Sequence, residues 1–311
     1  MARPENQIDN LDEVIEKITS KVVERLSQMG LGHAASQVRQ VIHESACTQD
    51  PEVCSGCGKC PTHKKEATDN IIHFGASRIS TSPGFAGQVD TKLAGMIDHT
   101  ILKADATRDE LSKVCKEARD YNFATVCVNA VNIPFVARLL QGSNVKPIAV
   151  VGFPLGAETS EAKAFEAKEA VRNGAREIDM VINAGALKSK DYATVFQDIK
   201  AVVEASKPYP VKVILETGGL EHDEKVIGCA LSKTAGAAFV KTSTGFGKGG
   251  AMVEDIALMR RIVGDDMQVK ASGGVRTKED AEAMVKAGAN RIGASASVAI
   301  VTGKKAKVGN Y

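Results

Sequence analysis

Three features that are absent from this sequence narrow its class. The 311 residues contain no tryptophan, and no apolar run approaches the roughly 18 residues that a membrane-spanning helix needs. The first ten residues, MARPENQIDN, lack the apolar core of a secretory signal. With 43% hydrophobic and 25% charged residues, the composition is that of an ordinary soluble α/β protein. We therefore expect an intracellular, cytoplasmic protein without membrane contact.

A surplus of one charge sign is also missing. The 40 Lys and Arg residues nearly cancel the 38 Asp and Glu residues, which leaves a formal net charge of +2. Proteins that bind nucleic acids mainly through the phosphate backbone usually carry an excess of Lys and Arg clustered on one surface. The charge balance therefore disfavours nucleic acid as a partner.

Cysteine is too sparse, at seven residues, for a disulfide scaffold in a chain of this length. Four of the seven nevertheless fall within fourteen positions, namely Cys47, Cys54, Cys57 and Cys60. The spacing of the last three, C-x2-C-x2-C followed by Pro61, resembles the run of thiolates that holds an iron-sulfur cluster, whereas His63 would permit zinc instead. Free thiols in a linker, or redox pairing among them, are the alternatives.

The N-terminal part of the chain has a different pattern of apolar and polar residues from the remainder. Over residues 7–29, apolar side chains recur at steps of three and four between charged ones, which predicts an amphipathic helix that Gly30 ends. A weaker helical pattern and the cysteine-rich stretch follow. We divide the chain into three segments: an amphipathic helix in residues 1–30, a second short helix and a Cys-rich linker in residues 31–88, and the main domain in residues 89–311.

The apolar stripe of segment 1–30 suits docking into a groove on another protein. Its position ahead of a linker resembles the encapsulation peptides that carry enzymes into bacterial microcompartments, so a shell protein is a candidate partner. Packing against the main domain, or pairing of two subunits, is the alternative. Acidic residues such as Asp9, Asp12 and Glu13 disfavour binding to a membrane surface.

From residue 89 onward, short runs rich in Val, Ile and Ala alternate with helical patterns. Runs such as PIAVVGF are apolar nearly throughout, as expected of parallel strands covered on both faces. Eight such units favour a (β/α)8 TIM barrel. An open doubly wound sheet is the alternative, but no G-x-G-x-x-G turn follows the first strand. The predicted strands are 96–99, 124–129, 147–153, 177–183, 211–217, 237–243, 268–272 and 291–295.

Capping residues predict where two of the helices begin and end. Thr107 and Glu110 have the spacing of a capping box at the start of a helix over residues 107–121. Thr277 can cap a helix over residues 277–287, and Gly288 can terminate it.

Two lysines inside apolar strands give the sharpest chemical signal. In such a barrel the active site lies at the C-terminal ends of the strands. The polar residues that we place at those ends are Asp98, Cys127, Asp179, Glu216, Lys241 and Lys270. A buried ammonium must be paired, solvated by a cavity, or shifted toward its neutral form, and a second cation nearby lowers its pKa further.

Lys241 and Lys270, on adjacent strands, meet that requirement, and Asp179 can move the protons that imine formation requires. These three residues predict an imine-forming lyase. The alternative is that each lysine ends its strand at the solvent or forms a buried ion pair. We interpret Cys127 as a packing residue without a catalytic role, and His99 as a contact between the barrel and a helix.

Glycine-rich turns follow the last three strands, at residues 243–250, 272–274 and 293–295. Barrels commonly bind phosphate at the last two strands, where backbone N–H groups and a helix N-terminus converge. A phosphorylated substrate is therefore predicted, although the glycines could serve loop geometry alone.

The segments IDHTILK, VCVN, GFPLG, EIDMVIN, VILETG, FVKTSTGFG, VKASGGVRT and RIGAS, in this order, resemble the deoxyribose-phosphate aldolase family. The resemblance covers essentially the whole barrel. It implies a class I aldolase that reversibly cleaves 2-deoxy-D-ribose 5-phosphate to D-glyceraldehyde 3-phosphate and acetaldehyde, with no cofactor for catalysis. It further implies that Lys241 forms the Schiff base, Lys270 perturbs Lys241, and Asp179 relays protons.

The resemblance also implies the substrate contacts. Asp98 and Thr244 would line the sugar-binding pocket. The phosphate would be held by Gly245, Gly273, Gly274, Gly293 and Ser295. The sequence departs from some family members at Phe246, where they carry Lys, and at Ala296, where they carry a second Ser, and both changes bear on phosphate affinity.

The chain ends in KVGNY, and the tail of this family can end in a Tyr that reaches the active site. Tyr311 would then assist proton transfer. We also expect a homo-oligomer. Two other functions stay open: another imine-forming aldolase with a different aldehyde pair, and a scaffold or redox-sensing protein built around the cysteines with an inert barrel.

Deleting residues 1–30 is expected to leave turnover intact and to abolish association with a microcompartment shell, because no step of the imine chemistry uses this segment. Turnover and co-purification with shell protein are the two measurements. An equal loss of turnover would refute the docking role.

Iron and zinc analysis of anaerobically purified protein tests the four clustered cysteines. A stoichiometric metal or cluster is the expected result if their spacing serves ligation. Metal-free protein would favour free or redox-paired thiols.

Overall fold

The computed structural model describes residues 89–303, together with Ser20, Glu24 and Gln28. These three residues are helical and exposed, and Gln28 donates a 3.4 Å hydrogen bond to Glu24. The predictions for the cysteine cluster and for Tyr311 lie outside the described residues.

Eight parallel strands in the described part of the chain form a closed barrel. Each strand pairs with the next one in sequence, and β8 closes the barrel by pairing with β1. The predicted (β/α)8 barrel is therefore confirmed. The strands are β1 (Ile97–Ile101), β2 (Thr125–Asn129), β3 (Lys146–Val151), β4 (Glu177–Val181), β5 (Val211–Ile214), β6 (Phe239–Lys241), β7 (Gln268–Ser272) and β8 (Arg291–Ala294).

Helices connect the strands and cover the outside of the barrel. Within residues 89–303 they are α1 (Thr91–Ala94), α2 (Arg108–Tyr121), α3 (Ile133–Leu139), α4 (Ser160–Arg172), α5 (Ala184–Lys188), α6 (Tyr192–Ser206), α7 (His222–Thr234), α8 (Val253–Val263), α9 (Lys278–Lys286) and α10 (Ser297–Thr302). None of the described helices combines the length and the apolar character that crossing a membrane requires.

The caps that the sequence predicted are present. Thr107 precedes α2, where its backbone N–H donates to the Glu110 carboxylate at 2.9 Å and its hydroxyl accepts from the Glu110 N–H at 3.3 Å. Thr277 caps α9 in the same reciprocal way. Gly288 follows the end of α9 with φ 116°, a conformation that favours glycine. Local side-chain chemistry therefore sets these helix ends.

Several strands end at other residues than predicted, so some polar residues lie inside a strand or beyond its end instead of at the end. β5 stops at Ile214, because Glu216 adopts a left-handed backbone with φ 58° and ψ 57°. The prediction that candidate residues end their strands is wrong for four of them, which lie inside strands: Asp98, Cys127, Asp179 and Lys270. The charged ones are tolerated there because the barrel interior supplies buried partners of opposite charge.

The main apolar core lies between the barrel wall and the helices. Outward-facing strand residues such as Ile178 and Met180 belong to the same buried cluster as Val195 and Ile199 of α6. His99 also faces outward, where its ring nitrogens lie 2.9 Å from Glu117 of α2 and 2.9 Å from Ser297 of α10. The prediction that His99 is a contact between the barrel and a helix is confirmed.

A buried ion pair outside the barrel steadies the loop that follows β3. Lys163 of α4 lies 2.6 Å from Asp198 of α6. Its ammonium also donates to the backbone oxygens of Gly156, in the loop, and of Val181, at the end of β4. One side chain therefore joins two helices, a strand and the loop that carries GFPLG.

Candidate active site

Asp179 brings the two predicted lysines together inside the barrel. Lys241, the last residue of β6, donates a 2.9 Å hydrogen bond to Asp179 Oδ2. Lys270, at the centre of β7, donates to the same oxygen at 2.7 Å. Lys241 and Lys270 are register partners on neighbouring strands, so their side chains enter the interior side by side. The two amines therefore share one carboxylate oxygen.

Lys241 has the environment of a nucleophilic amine. Its side chain is only 3% exposed. Burial lowers the pKa of Lys241 below its ordinary value; Asp179 acts in the opposite direction, and the neighbouring Lys270 adds to the lowering. Lys241 consequently supplies more neutral amine near pH 7 than an exposed lysine does.

Lys270 behaves oppositely although it is as deeply buried. Burial alone would lower the pKa of Lys270, but attraction to Asp179 and Asp98 raises it well above the ordinary value. Asp98 forms a 2.5 Å ion pair with the Lys270 ammonium, in addition to the contact from Asp179. Lys270 therefore stays cationic at the pH values at which Lys241 loses its proton.

A third lysine that sequence analysis did not select completes the contacts of Asp179. Lys212 of β5 lies 2.9 Å from Asp179 Oδ1 and 2.5 Å from the carboxylate of Glu177. Burial would raise the pKa of Asp179, but Lys212, Lys241 and Lys270 together hold it well below its usual range. The sequence pattern that selected Lys241 and Lys270 also applies to Lys212, which is a lysine inside the apolar run VKVILE.

Arg291, at the start of β8, joins the remaining carboxylates. Its guanidinium donates to Asp98 at 2.5 Å and to Glu177 at 3.2 Å. The ion pairs close into a ring of alternating sign, which we call the charged ring: Asp179, Lys270, Asp98, Arg291, Glu177 and Lys212. The three negative charges of the ring balance its three positive charges. Lys241 lies outside this balance, because it contacts only Asp179 of the ring.

This charge count accounts for the direction of each pKa shift. The pKa values of Lys212, Lys270 and Arg291 are raised, because each of these cations contacts two carboxylates. Burial lowers the pKa of Lys241, and its one carboxylate contact, Asp179, is shared with two other lysines and does not offset this effect. The ring therefore singles out Lys241 as the amine that deprotonates.

The interior wall of β2 and β3 is apolar. Leu102, Cys127, Ile148 and Val150 form a small buried cluster, against which Phe153 packs. Burial raises the pKa of the Cys127 thiol to about 11, so the thiol is protonated near neutral pH. This agrees with the interpretation of Cys127 as a packing residue. The site therefore has a charged side and an apolar side.

The glycine-rich turns after β6 and β7 pack directly on each other. Gly245, Gly273 and Gly274 have positive φ values of 88°, 86° and 78°. The N–H of Ala251 donates to the Gly273 oxygen at 2.9 Å, and a Cβ at Gly250 would lie 2.5 Å from that oxygen. Only glycine fits at Gly250. That these turns hold a phosphate stays a prediction.

Three of the residues that the resemblance assigns to substrate binding differ in their surroundings. Asp98 is fully buried and paired with Lys270 and Arg291, so its role in the sugar pocket stays a prediction. Gly293 lies on the inner face of β8, where an added Cβ would meet the Lys270 Cε at 2.9 Å. Ser295 is exposed just after β8.

The two positions that depart from the family pattern both lie at the mouth of the barrel. Phe246 is 51% exposed and meets Phe153 edge to face, with ring centroids 5.4 Å apart. Ala296 occupies the N-cap position of α10. Within residues 89–303, no group of three or more His, Cys, Asp or Glu side chains is arranged to hold a metal ion.

A buried amine with a lowered pKa, beside a second lysine with a raised pKa and a shared carboxylate in a closed eight-stranded barrel, is typical of Schiff-base enzymes of the aldolase class. Residues 92–306 match the DeoC/LacD family aldolases. The chain belongs to this family.

Named relatives and a solved structure agree with the family assignment. The chain is 62% identical over 216 residues to the deoxyribose-phosphate aldolase of Clostridium novyi, which covers 69% of this chain and 97% of the relative. It is 59% identical over 220 residues to that of Streptococcus gordonii, covering 71% and 100%. The tetrameric deoxyribose phosphate aldolase of Aeropyrum pernix superposes with a TM-score of 0.64 at 31% identity, covering 75% and 96% of the two chains.

Replacing Lys270 tests the charge relationship between the two amines. In Lys270→Leu, Lys241 loses a neighbouring cation and gains a larger share of Asp179, so its pKa rises. The acidic limb of the kcat/KM profile should move to higher pH by about one unit, and kcat should fall by roughly 100-fold or more. Lys188→Leu, at an exposed lysine of α5, is the matched control and should leave both unchanged. An unshifted limb in Lys270→Leu would contradict the electrostatic role.

Proposed function

We propose that this protein is a class I deoxyribose-phosphate aldolase, which reversibly cleaves 2-deoxy-D-ribose 5-phosphate to D-glyceraldehyde 3-phosphate and acetaldehyde. The observation that carries the proposal is the Lys241 amine, which lies 2.9 Å from Asp179 and shares that carboxylate with the cationic Lys270. The curated relatives at about 60% identity carry this activity in their names. The geometry of the site and the activity named for the relatives therefore support the same proposal.

The chemistry begins with attack of the neutral Lys241 amine on the aldehyde carbon of the open-chain sugar. The resulting carbinolamine loses water to form an iminium ion. Removal of the proton from the C3 hydroxyl then breaks the C2–C3 bond and releases D-glyceraldehyde 3-phosphate, while the bonding electrons form an enamine. Protonation of the enamine at C2 and addition of water release acetaldehyde and regenerate the amine.

Each of these steps moves a proton close to Lys241. Asp179 Oδ2 lies within hydrogen-bond distance of both lysines, so it can relay protons directly or through a water molecule. Lys270 keeps its own proton and thereby favours the neutral form of Lys241 before each turnover. Once the imine is formed, the same carboxylate stabilises the iminium charge on Lys241.

The substrate's phosphate end is assigned to the glycine-rich turns at the mouth. Gly245, Gly273 and Gly274 expose backbone at the ends of β6 and β7, where a parallel barrel directs N–H groups toward an anion. Phe246 offers no positive charge to the phosphate, so backbone donors and Ser295 carry more of the binding. The apolar wall of β2 and β3 suits the apolar two-carbon fragment.

Further proposals concern assembly and the chain outside the barrel. The 31% identity to the tetrameric Aeropyrum pernix enzyme supports a homo-oligomer. Docking of segment 1–30 on a microcompartment shell, a metal or cluster on Cys47, Cys54, Cys57 and Cys60, and proton transfer by Tyr311 are proposals that rest on the sequence. A different aldehyde pair remains the enzymatic alternative, because it would use the same imine.

Borohydride trapping tests the imine directly. With acetaldehyde or deoxyribose 5-phosphate, reduction should attach the adduct to Lys241, as peptide mass spectrometry would show. Lys241→Ala should lose both the adduct and turnover. Lys146→Ala, at an exposed lysine at the start of β3, should keep both. Turnover of deoxyribose 5-phosphate without any adduct on Lys241 would overturn the assignment.

A further inference from the structure

Glu216 is held in an unusual conformation beside the active site. It follows β5 and adopts φ 58° and ψ 57°, a left-handed backbone that non-glycine residues rarely take. Such outliers persist where the surrounding structure fixes them, and they cluster at functional sites. The Glu216 side chain reaches the turn after β6, three residues beyond the Schiff-base lysine.

The Glu216 carboxylate binds Thr244 through a single oxygen. Oε2 accepts the backbone N–H of Thr244 at 3.1 Å and also contacts the Thr244 hydroxyl at hydrogen-bond distance. The turn is closely packed on this carboxylate, since a Cβ at Gly247 would lie 2.7 Å from its carboxyl carbon. Glu216 Oε1 is buried and has no hydrogen-bond partner among the described residues. Thr244 is therefore the group that Glu216 holds.

The direction of the hydrogen bond at the Thr244 hydroxyl follows from these contacts. A carboxylate oxygen only accepts hydrogen bonds, so Glu216 Oε2 accepts both the Thr244 N–H and the single proton of the Thr244 hydroxyl. The N–H of Phe246 donates to Thr244 Oγ1 at 3.0 Å. One lone pair of Oγ1 then has no partner among these contacts, and no proton is left. Thr244 can accept a hydrogen bond from a substrate but cannot donate one.

We propose that Glu216 is a positioning residue that fixes Thr244 as a hydrogen-bond acceptor, so that this part of the site selects substrates that present a hydroxyl group. The inference rests on the aldolase function proposed above and assigns a selectivity within it. A carbonyl or phosphate oxygen offers Thr244 only lone pairs, whereas a sugar hydroxyl offers a proton. Thr244 thus recognises the hydroxylated acceptor aldehyde rather than its phosphate.

Two acceptor aldehydes that differ by one hydroxyl test this selectivity. Condensation of acetaldehyde with D-glyceraldehyde 3-phosphate is compared with condensation onto 3-oxopropyl phosphate, which has the same aldehyde and phosphate without the hydroxyl. The wild-type kcat/KM ratio should favour the hydroxylated acceptor by at least roughly tenfold. In Glu216→Ala and in Thr244→Val the ratio should fall by about fivefold or more. A purely structural role would lower both rates equally and leave the ratio unchanged.

Glu216→Gln is the matched control, because its amide oxygen can accept the same two hydrogen bonds without a charge. It should keep the wild-type ratio, and loss of the ratio in this variant would contradict the acceptor role. If Glu216→Ala does not fold, Thr244→Val decides the question from the other partner.

Acetaldehyde trapping on Lys241 is measured in every variant to separate the two proposals. Failure of the wild type to trap would remove the aldolase function itself. Normal trapping with an unchanged acceptor ratio in Thr244→Val would overturn the role of Glu216 alone.

Discussion

The carboxylate of Asp179 is the contact around which the barrel interior is arranged. One oxygen receives Lys241 and Lys270, the other receives Lys212, and the three amines come from three successive strands. Because three cations share one anion, none of them is fully compensated by it. Lys212 forms a second ion pair with Glu177, and Lys270 forms one with Asp98, whereas Lys241 has no second carboxylate among its described contacts. The lowered pKa of Lys241 thus depends on the partners of its neighbours as well as on its own burial.

Much of this arrangement can be predicted from the sequence, because its signals are local. Alternation of apolar runs with capped helical patterns gives the eight-stranded barrel, and Thr107 and Thr277 mark helix starts to within a residue. Lys241 and Lys270 stand out because a charged residue within an apolar run requires an explanation. Asp179 joins them because the barrel brings the strand residues together at one end, and the resemblance of whole motifs then implies its role.

What the sequence could not give depends on strand register and backbone angles. Glu177 and Arg291 begin their strands and look like ordinary solvent-facing ends, yet in the closed barrel they face each other across the interior. Lys163 reads as one charge on an amphipathic helix, although it is fully buried against Asp198. Glu216 offered no sign of its left-handed backbone, which shortens β5 and turns the carboxylate toward Thr244.

Gly293 links the predicted phosphate side of the site to the charged ring. It was expected to serve the phosphate, but its missing side chain also provides the volume that the Lys270 stem occupies. A methyl group there would push against the Lys270 side chain, whose ammonium shares Asp179 with Lys241. The eighth strand therefore contributes empty space to the charged ring, so any side chain added at position 293 would displace Lys270 and change how Asp179 is shared with Lys241.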